Sequence, residues 1–176
     1  MKLDRFLAEN RTGIIKKWHE VIVSTYPDDT QRFFKREKNS FANPVGCVID
    51  RDIETLFDAL VPVEDRDKIT ECLDNIIRIR AVQDFSPSQA TSFVLELKEI
   101  IREKLVQKSP IDNDLGDELY ALGKRIDEIA LLAFDIYSRC RQKIYEIRVN
   151  EVKNQVGRLL KRANLTVEIP EAKVDL

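Results

Sequence analysis

Apolar residues recur along this chain with helical spacing from one end to the other. Leu3, Phe6, Leu7, Ile14, Ile15, Trp18, Ile22 and Tyr26 line one face of a first helix, with a kink expected near Asn10–Gly13 and a stop at Pro27. A short segment from Thr30 to about Lys38 carries Phe33 and Phe34. Asn43-Pro44 then reads as a helix start. Asn43 can accept from the free amides of the first turn, and Pro44 fills a position that needs no amide. Val45, Val48, Ile49, Ile53, Leu56, Phe57 and Leu60 follow in register, and Pro62 ends the run. A fourth helix spans about Asp65 to Arg80, with Ile69, Leu73, Ile76 and Ile77 on one face. Ser86-Pro87-Ser88-Gln89 forms a capping box for the fifth. Its apolar face is Ala90, Phe93, Val94, Leu97, Ile100, Ile101 and Leu105, and Pro110 closes it. Only Leu165–Ile169 alternates like a strand. The pattern predicts an all-α bundle of about six helices.

The last helix is expected to be long. No proline interrupts Asp112–Asn164, and fifty helical residues would extend about 75 Å. Leu115, Leu119, Leu122, Ile126, Ile129, Ala133, Ile136 and Cys140 are spaced 4, 3, 4, 3, 4, 3, 4, the repeat of a coiled-coil seam. After Cys140 the register slips, and Ile144, Ile147, Val152, Val156 and Leu159 leave the strict repeat. Gly116, Gly123 and Gly157 each weaken the helix by about 1 kcal/mol relative to alanine, so a bend or break could fall there. A helix of this length exceeds what one small domain can bury. The seam residues Leu115, Leu119, Leu122, Ile126, Ile129 and Ile136 are therefore read as facing a second copy in a homodimer. Charge is polarised along the same stretch. Residues 112–135 hold seven acidic and two basic side chains, and residues 139–162 hold eight basic and two acidic. This arrangement suits a basic stalk for an acidic partner, or antiparallel self-pairing. It is equally what alignment with the helix dipole and ordinary solvated faces would give.

Composition narrows the classes. The 176 residues suit one domain, read as 1–164 with a tail at 165–176, and a hydrophobic share of 43% is enough for a packed core. Net charge is −2 although 34% of residues are charged, which lacks the basic excess of a nucleic-acid binder. No stretch offers the roughly 20 apolar residues of a membrane span, and Met1-Lys2-Leu3-Asp4-Arg5 lacks the apolar run of a signal peptide. Cys47, Cys72 and Cys140 are odd in number and far apart, which fits reduced, mostly buried thiols. The reading is a cytoplasmic protein without a membrane or nucleic-acid partner.

Catalytic chemistry finds no foothold. The single histidine, His19, has valine at position 23, where a helical metal site would want a second ligand. One histidine cannot supply the two Glu-x-x-His pairs of a di-iron bundle. A phospho-accepting role fits Glu20, but nothing resembling an ATP-binding half accompanies it. A boundary histidine with a hydrogen-bonded neighbour is the simplest reading. Helical apolar surroundings would raise the pKa of any of the three thiols. The glycines are too sparse for a phosphate loop. The sequence argues for no enzyme, no metal and no cofactor.

Two islands carry more specificity than packing requires. One is Arg32-Phe33-Phe34-Lys35-Arg36 with Phe41-Ala42-Asn43-Pro44-Val45-Gly46. The other runs from Arg78-Ile79-Arg80 through Gln83-Asp84-Phe85-Ser86-Pro87-Ser88-Gln89. Each sets cationic and polar groups beside aromatics before a helix start, with Arg36, Asn43, Arg78, Arg80, Gln83 and Ser86 as candidate ligand-facing residues. Such a start could hold an anion or a carboxylate. Alternatively, the two are structural loops whose polar groups satisfy one another.

These islands, with Ile136-Tyr137-Ser138-Arg139-Cys140-Arg141 and Tyr145-Glu146-Ile147-Arg148-Val149-Asn150-Glu151-Val152-Lys153-Asn154, resemble the RsbRD N-terminal domain family. That family includes the sensory domains of stressosome co-antagonists. The likeness covers roughly residues 5–164. It implies a globin-like, dimeric helical input domain without haem, normally joined by its last helix to a STAS output domain. No STAS domain is contained in these residues, so the expectation is a stand-alone form acting on a protein partner in trans. The expected function is a non-enzymatic sensor that passes a ligand or partner signal through its last helix. The alternative is a constitutive adaptor or assembly factor docked on a larger complex.

Overall fold

The structure, a computed structural model, describes residues 2–37, 39–61, 65–108 and 113–163. These form six helices: α1 (Lys2–Ser24), α2 (Asp28–Arg36), α3 (Pro44–Leu60), α4 (Arg66–Val82), α5 (Pro87–Lys108) and α6 (Asn113–Arg162). No strand occurs among the described residues, and the expected all-α architecture with a long last helix is what they form. Lys38, Pro62, Pro110, Asp112, Asn164, the stretch 165–169 and the tail 165–176 lie outside the described residues. Helix α1 runs unbroken through Asn10–Gly13, where a kink was expected. The Asn10 side chain donates to its own helix at the Phe6 carbonyl (2.8 Å), and Gly13 lies where a Cβ would meet Lys104 Nζ at 3.1 Å.

The chain divides into two compact units, Met1–Arg141 and Gln142–Leu176. In the first, α1 packs on α2, α3 and α5, α3 on α4, and α4 on α5. Trp18, Ile22, Ile53, Leu56, Leu73, Ile76, Phe93 and Ile101 are buried at the centre. Each such side chain contributes about 1.5–3 kcal/mol relative to exposure. The Trp18 indole N–H is satisfied by the Phe93 carbonyl at 2.6 Å, which fixes α1 against α5.

The part of α6 that belongs to this unit completes its core. Leu115, Leu122, Ile126, Ile129, Ala133 and Ile136 are buried, and Leu119 and Cys140 pack against them. The seam expected to face a second copy therefore lies inside its own unit. The physical reason is that α1, α4 and α5 leave an apolar face that these residues cover. Polar ties bracket the contact: Glu118 accepts from the Leu3 amide, and Lys98 pairs with Asp127 at 2.8 Å.

In the second unit the described side chains are exposed, apart from Ile144 and Gly157, which are half-buried. Tyr145, Val149, Val152, Val156 and Leu159 are among the exposed apolar residues there. Their spacing is 4, 3, 4, 3, so the heptad resumes after the slip, in a register two residues away from the first. No helix among the described residues is long and apolar enough to cross a membrane.

Candidate functional site around Arg80

The spacing of α4 decides where Arg80 goes. Ile69, Leu73, Ile76 and Ile77 mark the inward face, and Arg80 follows Ile77 by three residues and Ile76 by four, so it shares that face. Its side chain is 0% exposed. Nη2 donates to Thr25 Oγ1 and to the Gln89 carbonyl, both at 2.8 Å. Thr25 in turn donates to the Ile22 carbonyl at 2.7 Å. Three rings enclose the guanidinium carbon: Phe85 at 4.5 Å from its centroid, Tyr26 and Phe93 at 5.6 Å. Tyr26 meets Phe85 and Phe34 edge-on at 5.1 and 5.2 Å. Burial pulls the Arg80 guanidinium below its ordinary pKa and pushes the Tyr26 phenol up, the latter partly offset by the arginine's charge.

The turn after α4 is built over this group. Asp84 adopts φ 59°, a left-handed conformation that brings the Phe85 amide back onto the Arg80 carbonyl at 3.3 Å. The start of α5 carries the reciprocal capping box read from its sequence. The Ser86 amide donates to Gln89 Oε1 at 3.1 Å, and the Gln89 amide donates to Ser86 Oγ at 3.3 Å. From α6, the Tyr137 hydroxyl donates to the Phe85 carbonyl at 2.5 Å. Arg141 Nη1 donates to the Ala81 carbonyl at 2.9 Å and to Asp84 Oδ1 at 2.7 Å. Arg141 is the last residue of its unit.

The six candidate residues are thus dispersed. Arg36 ends α2 in solvent, Arg78 is exposed and paired with Asp74 one turn back, and Gln83 caps α4 through its amide. Asn43 is buried as the cap of α3, accepting from the Gly46 amide at 2.9 Å and donating to the Glu37 carbonyl at 2.9 Å. Ser86 caps α5. Arg80 is the one of the six that enters the core. Thr25, Tyr26, Phe93, Tyr137 and Arg141 were not among the candidates from sequence, because nothing in the local pattern links α1, α4, α5 and α6. An arginine in phase with Ile76 and Ile77 was the signal available.

Elsewhere the chemistry is plain. His19 Nε2 pairs with Asp50 on α3, which is the neighbour-bonded boundary histidine anticipated. Among the described residues no group of histidine, cysteine or acidic side chains could hold a metal. All three cysteines are free, and burial first, then Asp52 and Glu71, push Cys72 up to about 11.

Comparison with known proteins bears on what such a domain is for. The profile of the RsbT co-antagonist protein rsbRD N-terminal domain matches residues 12–152. The chain belongs to this family. RsbRD N-terminal domains are stressosome-type signalling or regulatory domains, and the matched span reaches from α1 into α6. A relative from Archaeoglobus fulgidus, described as an uncharacterized protein, is 29% identical over 84 residues. The match covers 47% of this chain and 51% of that protein, so the chain spans about half the length of the curated relative it matches. No solved structure matches this RsbRD N-terminal domain.

Proposed function

We propose that this RsbRD N-terminal domain is a non-enzymatic, cytoplasmic sensor that works as a homodimer and passes a signal along α6 to a protein partner in trans. The exposed heptad of the second unit carries this reading. Tyr145, Val149, Val152, Val156 and Leu159 stand in solvent at coiled-coil spacing, with β-branched valine at three successive seam positions, an apolar stripe that a second helix would cover. Membership in a signalling family supports the role, and the clamp of Tyr137 and Arg141 on the turn after α4 supplies a route from the core to α6.

Sedimentation equilibrium tests the dimer. Wild type should self-associate at micromolar concentration, and Val152→Asp with Val156→Asp should be monomeric with nearly unchanged helix content. A monomeric wild type, or a double variant that still dimerises, overturns the reading. The adaptor alternative draws on the six basic and two acidic side chains of residues 142–163, which suit an acidic partner. A constitutive adaptor would return one stoichiometric partner under every growth condition.

A further inference from the structure

Arg80 has two nitrogens that the fold leaves without an acceptor. Nε and Nη1 are buried and make no hydrogen bond, and the hydroxyl of Tyr26, whose ring faces the guanidinium, is buried and makes none either. Neither the hydrogen-bond partners of this arginine nor the charges acting on it include a carboxylate among the described residues. Its partners are neutral: a hydroxyl, a carbonyl and three ring faces. Taking a full positive charge out of water costs several kcal/mol after relaxation, and a desolvated cation–π contact returns about 2 kcal/mol or more without supplying a counter-charge. Two of the guanidinium's three nitrogens being idle is the opposite of how buried arginines are held.

We infer that the cage of Arg80, Tyr26, Phe85 and Phe93 is a binding site for a small monovalent anion, held by Arg80 Nε or Nη1 with the Tyr26 hydroxyl as a further donor. The charge that lacks a counter-charge selects an anion over a neutral acceptor. The complete burial of Arg80 points to a small guest, of the class of formate, nitrate or chloride. The site also borders the link to α6. Phe85, stacked on the guanidinium, is only half-buried and sits in the turn that Tyr137 and Arg141 hold from α6. An anion that draws Arg80 away from Phe85 shifts that turn, and through it the last residue of the unit. This link to α6 rests on the signalling function proposed above; the binding does not.

The test is a titration of the full chain, exchanged into a buffer whose only anion is a bulky sulfonate, with sodium formate and separately sodium nitrate. The Nε–H resonance of Arg80, identified by its loss in Arg80→Met, should move saturably. The melting temperature should rise along the ligand-linkage curve. Tyr26→Phe keeps the ring and should weaken binding by about 2- to 10-fold, the worth of one hydrogen bond. Should Arg80→Met fail to fold, the Arg80 Nε–H is assigned in the wild type by correlation through its own side chain, and with Tyr26→Phe it still decides. An Nε–H signal unmoved by both anions overturns the site, as does an identical formate response in wild type and Tyr26→Phe. Self-association is read separately, so the anion site and the dimer can fail independently.

Discussion

The Asn39–Gly46 turn before α3 and the Arg80–Ser86 turn before α5 look alike in sequence and treat their polar groups differently. In the first, Asn43 is buried but fully engaged. Its oxygen receives the Gly46 amide, and its nitrogen serves the Glu37 carbonyl. Gly46 belongs to the same device, since a Cβ there would lie 2.3 Å from Asn43 Nδ2. In the second, the caps at Ser86 and Gln89 are likewise engaged, but the arginine underneath keeps two buried nitrogens without acceptors. Polar side chains that close on one another hold a shape. Buried ones left open have capacity for something else. The contrast separates a structural loop from a candidate site where motif and composition could not.

The comparison breaks most visibly at Gly46. Gly46→Ala should cost about 2–4 kcal/mol, combining the lost cap, about 0.5–2 kcal/mol, with overpacking of about 1–3 kcal/mol. Urea denaturation with an unchanged slope would report it. Asn43→Ala should follow at about 1–3 kcal/mol, because it also strands the Glu37 carbonyl. The double variant should lose much less than the sum, since both act on one contact. Additive losses would mean that Gly46 matters for another reason.

Arg80→Met should behave in the opposite way. In an anion-poor buffer, replacing an uncompensated buried charge with an apolar side chain of similar length should leave stability within about 1 kcal/mol of wild type or raise it. A loss of about 3 kcal/mol or more would show that Arg80 is as fully engaged as Asn43, and the distinction between the two turns would vanish. Ser86→Ala, by contrast, should cost about 0.5–2 kcal/mol, an ordinary capping loss, in any buffer.

Much of this fold was legible because its signals are local. The Asn43-Pro44 start, the Ser86–Gln89 capping box and the apolar stripes of α3 to α5 each depend on residues within a turn or two, and each is present as read. The heptad of α6 was legible as a stripe but not in its partner. Leu122 and Ile126 would look the same facing a second chain or facing α5, and only tertiary packing decides that they close their own unit. The second stripe was obscured because Ile144 and Ile147 fall off it while Tyr145 and Val149 hold it. The cage was hardest to see. Tyr26, Arg80, Phe85 and Phe93 come from two helices and two turns, and no spacing rule spans those separations.

Alkaline titration offers the finest distinction between the two turns. The cap at Asn43 contains no titrating side chain, whereas Tyr26 borders Arg80 and its phenol is held above the ordinary value of 10.0, chiefly by burial. An acid whose folded pKa is raised lends stability that is whole below the unfolded value and fades as pH climbs through the folded one. Tyr26 should therefore cost the protein stability as pH rises past about 10. Cys72, raised from 9.0 to about 11, adds a separate decline between those values. In a Cys72→Ala background, Tyr26→Phe should flatten the remaining slope above pH 10, while Asn43→Ala should lower the whole curve without changing its shape. If Tyr26→Phe leaves the slope intact, the hydroxyl ionises as freely in the fold as in the unfolded chain, and the Arg80 cage is not the closed environment that sets it apart from the Asn43 turn.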